Sequence, residues 1–386
     1  MEWTHLCGEN MVIIDEKWID DIWAKLEKKL SRIALSKRGT LPYTTGKGKS
    51  YDDKSKSDVS WWTNGFWPGM MWLMYDATKK EEFKITAENA EALLDDAFKE
   101  YNNLHHDVGF MWHISAGANY KLTGNKTSYL RNMYAANTLA ARYNLKGGYI
   151  RAWNNNWDGN DEKGFAIIDC MMNIPLLYWA SRETGDDRYK YIAMSHADKT
   201  LKYHVRDDGS VYHIVNYDPE TGDVDDALGG QGFDKNSSWS RGQAWAIYGF
   251  TLSYIHSGEN RYLNTAKKVA NYFIAACCDD FLPKCDFRAP AEPVLYDASA
   301  GLIAANGLIE LSRVLPEYEK AMYYNAALRI IKNIVDEFAD WSDDSDAIVT
   351  HCSVCYEAQE HLTLVYADYF LVESMNKLKG VNTFLW

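Results

Sequence analysis

The chain has 386 residues, 47% hydrophobic and 25% charged with only 8 prolines, which fits a large packed core and excludes extended disorder. Its 54 acidic residues against 41 basic ones leave a formal charge of −13, a poor match to nucleic acid or to an anionic membrane surface. No apolar run reaches the ~18 residues of a membrane span, and Met1-Glu2-Trp3-Thr4-His5 lacks the basic stretch and apolar core of a secretory leader.

In chain order, apolar spacing of three and four predicts an opening helix from Asp15 to Leu35 and then a repeated unit. Each unit is an apolar helical run, a turn, and a more polar run. The first runs are Pro68 to Tyr75, Gly109 to Leu122, Asp169 to Ser181, Arg241 to His256 and Asp297 to Val314. The second runs are Lys84 to Tyr101, Tyr129 to Tyr143, Tyr189 to Tyr203, Tyr262 to Cys278 and Tyr318 to Phe338, and a closing helix spans Tyr366 to Lys379. Thr123-Gly124, Thr184-Gly185 and Ser257-Gly258 supply the turn, where a left-handed residue suits a helix end. The only strand signal is a short hairpin near Gly209 to His213.

First runs are apolar almost all round and belong inside; second runs carry Lys and Glu on one face and belong outside. This asymmetry predicts an all-α fold, an (α/α)6 barrel of six helical hairpins forming one catalytic domain over 1–386. An open solenoid would repeat more evenly and bear polar caps.

The loops entering the inner runs converge on one end of such a ring and mix polar with aromatic residues. Ten of the fifteen tryptophans lie at 61, 62, 67, 72, 112, 153, 157, 179, 239 and 245, and flat rings beside polar groups suit the faces of sugars. Asp107 and Asp169 open consecutive inner runs. Each alone reads as an N-cap; together they can point into one cavity, the carboxylate pair that acid/base chemistry on sugars uses. A partly buried carboxyl with an acidic neighbour keeps its proton nearer neutral pH. His105-His106-Asp107 reads as a poor chelator because adjacent side chains diverge, and Cys352-x-x-Cys355 has no second half, so no metal is expected. Phosphate-cradling glycine loops and nucleophile elbows are missing, so no cofactor is expected. Seven cysteines without framework spacing read as reduced thiols in a cytoplasm.

The series Trp62-Thr63-Asn64-Gly65-Phe66-Trp67, His106-Asp107-Val108-Gly109-Phe110, Asp169-Cys170-Met171-Met172-Asn173, Trp239-Ser240-Arg241-Gly242-Gln243-Ala244-Trp245, Asp297-Ala298-Ser299-Ala300 and Tyr366-Ala367-Asp368-Tyr369-Phe370 resembles the unsaturated glucuronyl hydrolases, glycoside hydrolase family 88, from about Trp18 to Met375. The resemblance implies release of the 4,5-unsaturated uronic acid that polysaccharide lyases leave at a non-reducing end, by hydration of the C4=C5 bond. It implies Asp169 as acid/base and Asp107 as its assistant. It also implies a substrate-lining set of His106, His213, Gln231, Trp239, Arg241 and Trp245, with Trp62 and Trp153 as stacking platforms. Arg241 is the expected cation for the substrate carboxylate in an acidic protein; the plainer reading is a salt bridge to a loop carboxylate. A Ser-x-Ser-x-Lys segment that reads sulfate in some members is missing, the region here being His351-Cys352-Ser353-Val354-Cys355-Tyr356. The expected partner is an unsaturated uronyl di- or oligosaccharide, the expected state a monomer or weak homo-oligomer. The alternatives are an unsaturated rhamnogalacturonyl hydrolase, a sugar isomerase, and a non-catalytic carbohydrate-binding protein on the same barrel.

Overall fold

A computed structural model describes residues 14–154, 161–278, 280–381 and 383–386, apart from the side chain of Tyr101. Trp157 and the start of the chain, two features of the sequence reading, lie outside these residues. Among the described residues there are twelve α-helices: α1 Glu16–Ser36, α2 Phe66–Thr78, α3 Glu81–Leu93, α4 Ala116–Thr123, α5 Lys126–Ala141, α6 Pro175–Thr184, α7 Asp187–Tyr203, α8 Ser240–Ser257, α9 Asn260–Ala276, α10 Ala298–Val314, α11 Glu317–Phe338 and α12 Val365–Leu378.

Even-numbered helices form the inner ring. α8 is buried from Ser240 to Ser253 and α10 from Ala298 to Ser312, as runs without a polar face require. α12 touches both α2 and α10 and so closes the ring, with α1 packed outside it. Outer helices bury one stripe only: α9 covers Tyr262, Ala266, Val269, Ala270 and Phe273, the three-and-four spacing of a single face. Gly124, Gly185 and Gly258 end α4, α6 and α8 with φ of +74°, +69° and +75°, as the turns predicted. Asn125 and Asp186 then cap α5 and α7 through their side chains. The six predicted hairpins are therefore present, the sixth pairing α12 with α1.

Three expectations fail. The runs from Gly109 and from Asp169 are not continuous helices. The first is a π-helical turn over Gly109–His113, interrupted before α4. The second is a 3-10 turn over Ile168–Met172 that stops before α6, whose first residue is Pro175. The barrel also carries an antiparallel sheet, β3 Phe165–Ile167, β4 Ile214–Tyr217 and β5 Val224–Leu228, besides the two-residue pair β1 Tyr143–Asn144 and β2 Tyr149–Ile150. These strands are too short for alternation to reveal. The hairpin expected near Gly209 is a single bridge, Val205 to Val211, just before β4. No described helix is long and apolar enough to cross a membrane, and the six described cysteines are free thiols.

Candidate active site

The sheet, not the barrel alone, brings the polar residues together. β3 pairs with β4 so that Ile167 faces Ile214, and the Ile168 N–H donates to the His213 carbonyl at 3.0 Å. Asp169 leaves β3 as His213 enters β4, and His213 Nε2 stands 3.6 Å from Asp169 Oδ2. The Gln231 backbone N–H donates to His213 Nδ1 at 3.0 Å, which assigns the ring proton to Nε2, the nitrogen facing Asp169. Gly230 makes this contact possible: it has φ +57°, and a Cβ there would lie 1.9 Å from His213 Nδ1.

Asp107 arrives on the loop before the π-helical turn. Neither aspartate is the N-cap the simpler reading required: the turns they border have no side-chain cap. Asn173 Nδ2 instead donates to Asp107 Oδ1 at 2.9 Å and to the Asp169 carbonyl at 3.2 Å, while its Oδ1 accepts the Phe110 N–H at 2.8 Å. One buried amide thus anchors both acidic segments. Asp169 Oδ2 has no hydrogen-bond partner, and the side chain is 13% exposed. Burial, and then the nearby charge of Asp169, push the Asp107 carboxyl well above its usual range, against the Asn173 bond and the Arg142 charge. Burial and Arg142 lower His105 to about 4; burial and His105 hold His106 well below the ordinary imidazole value, so both rings are neutral near pH 7.

The other predicted residues divide. Trp62 is half-buried, one side packed on Phe66, Phe110 and Tyr366, and Trp153 is half-buried beside Phe165. Gln231 spends its side-chain amide on the Val354 carbonyl and acts on His213 through its backbone. Trp239 is 3% exposed, wedged between the His213 ring and the Arg241 guanidinium, and Trp245 is fully buried against Phe110 and Phe370. The expectation of a substrate-facing cation at Arg241 is corrected. Its guanidinium, 1% exposed, pairs with Asp297 at 2.6 Å and donates to the carbonyls of Ser353 and Val354, so its charge is already matched. Asp297 keeps its predicted cap to Ser299 and Ala300 as well.

The ground for dismissing His105-His106-Asp107 is also corrected. The turn folds these side chains inward: Asp107 Oδ2 lies 3.4 Å from His105 Nδ1 and 3.4 Å from His106 Nε2. Sequence reasoning missed Asn173 as a site residue, although an Asn four positions after Asp169 in a broken helix was the available signal. A cavity of about 150 Å³ lined by His113, Lys121, Trp179, Arg182 and Trp386 lies toward the carboxyl ends of α4 and α6, away from both aspartates.

Comparison with known proteins shows what the chain as a whole is similar to. The family model described as Glycosyl Hydrolase Family 88 matches residues 39–280. An unsaturated glucuronyl hydrolase of Bacillus sp. (strain GL1) is 34% identical over 339 residues, 86% of this chain and 89% of that protein. An unsaturated chondroitin disaccharide hydrolase of Streptococcus pneumoniae (strain ATCC BAA-255 / R6) is 36% identical over 288 residues, 73% of this chain and 72% of that one. The solved structure of the Bacillus sp. GL1 unsaturated glucuronyl hydrolase superposes with a TM-score of 0.89 at 31% identity, covering 96% of this chain and 99% of that chain.

Proposed function

The chain belongs to glycosyl hydrolase family 88, and from that premise we propose that it releases the 4,5-unsaturated uronic acid from the non-reducing end of lyase-generated oligosaccharides, with Asp169 as acid/base. The observation that carries the residue assignment is Asp169 Oδ2: buried and unpartnered, on a side chain that is 13% exposed, with His213 Nε2 3.6 Å away.

The substrate ring holds a vinyl ether, C4=C5 conjugated to the ring oxygen. Asp169 delivers a proton to C4; the π pair becomes the C4–H bond, and positive charge spreads over C5 and the ring oxygen. Water adds at C5 and returns its proton to the Asp169 carboxylate. The C5 hemiketal opens to a ketone, and the hemiacetal left at C1 expels the neighbouring sugar. Burial and the nearby charge of Asp169 favour the protonated form of Asp107. His213 steadies Asp169 when ionised, and Asn173 keeps Asp107 in register.

Trp62 and Trp153 stack on sugar faces, and His106 lines the inner wall. Trp239, Arg241 and Trp245 support that wall by packing. With Arg241 paired to Asp297, its charge is not free for the substrate carboxylate. The free thiols favour a reducing compartment.

The experiment is incubation with an unsaturated uronyl disaccharide while following the ultraviolet absorbance of the conjugated acid. Loss of absorbance with release of the second sugar, and inertness toward the saturated disaccharide, is the expected result. Persistent absorbance with binding intact selects the carbohydrate-binding reading instead.

A further inference from the structure

We infer that His105, His106 and Asp107 form a binding site for a borderline divalent cation of the Zn²⁺ class. The donors are two imidazole nitrogens and one carboxylate oxygen, all within 4.8 Å of one another. The two edges that meet at Asp107 Oδ2 are 3.4 Å each. Metal–ligand bonds of ~2.0–2.1 Å in a tetrahedron set ligand–ligand edges of about 3.3–3.4 Å. Both edges match that spacing, and an ion would displace the 3.4 Å contact by which His105 Nδ1 accepts the Asp107 backbone N–H.

The surroundings support the same assignment. Asn173 occupies Asp107 Oδ1, leaving Oδ2 for the metal and fixing the carboxylate's orientation, as outer partners of metal ligands do. His106 and Asp107 are buried, while the His105 side chain is 23% exposed and provides the entry side. Three protein ligands leave a fourth position for water. An ion there occupies the free oxygen of Asp107; resting on the function proposed above, occupancy lowers turnover, and chelation restores it.

The test is titration of chelator-treated protein with Co²⁺, read in the visible spectrum, alongside the variants His105→Gln and His106→Gln. Expected are the absorption bands of tetrahedral cobalt at one ion per chain, their displacement by Zn²⁺, and at least ~tenfold weaker binding in each variant, with the far-ultraviolet dichroism unchanged. No such band, a band of undiminished affinity in both variants, or a thiolate-to-cobalt charge-transfer band placing the ion on a cysteine overturns the site. Turnover measured in the same titration separates the two claims. Cobalt bands without loss of activity leave the ion site standing and overturn the role given to Asp107.

Discussion

The amide Nδ2 of Asn173 donates to Asp107 Oδ1 at 2.9 Å inside fully packed surroundings, and the same side chain also holds the Phe110 N–H and the Asp169 carbonyl. Asn173→Ala leaves a buried carboxylate oxygen and a buried N–H without partners. Each such loss costs about 1–3 kcal/mol, so denaturant titration should show destabilisation of about 2–6 kcal/mol. Turnover should fall with it, because both acidic segments lose their common anchor.

Asp107→Asn should stabilise the protein at neutral and alkaline pH. The fold raises the Asp107 carboxyl above its unfolded value of 3.8 through burial and the Asp169 charge. Its contribution is therefore full below that value and is lost as pH rises through the folded one. The midpoint of thermal unfolding should rise more at pH 8 than at pH 4.5. A larger gain at the acid end would contradict the assigned environment.

Asp169→Asn should abolish turnover with little effect on stability, since Oδ2 accepts no hydrogen bond that the amide could lose. Loss of a general acid/base costs ~10²–10⁴-fold or more in rate. A variant with normal kcat would remove Asp169 from the chemistry.

Trp62→Ala and Trp239→Ala should separate. Trp239 is buried between His213 and Arg241, so its truncation should cost about 3–5 kcal/mol of stability. Trp62 packs on one side only, and its loss should cost at most about 2 kcal/mol while raising KM. Equal stability losses in the two variants would move Trp62 from platform to core.

Arg241→Met should destabilise by about 3–5 kcal/mol because it leaves Asp297 charged and buried without its guanidinium. Adding Asp297→Asn should recover part of that loss. A single variant as stable as wild type, with weakened substrate binding, would restore the free-cation reading of Arg241.

Periodicity in the amino-acid sequence by itself determined the barrel. Helices repeat every 3.6 residues, so the apolar inner runs, the half-polar outer runs and the glycine turns between them are local facts, legible without coordinates. Asp107 and Asp169 stood out for the same reason: each marks the start of an inner run. What the tertiary structure alone decided are the relations between distant segments. The π-helical and 3-10 turns that replace the expected helix starts answer to packing around Asn173, which no window of sequence contains. The small sheet that sets His213 beside Asp169 has strands of three to five residues, too short to announce themselves. Arg241 found its counter-charge in Asp297, 56 positions along the chain, so a cation that looked free for substrate is spent inside the wall. Local periodicity records which face of an element is buried; which buried group meets which is settled only when the elements close on one another.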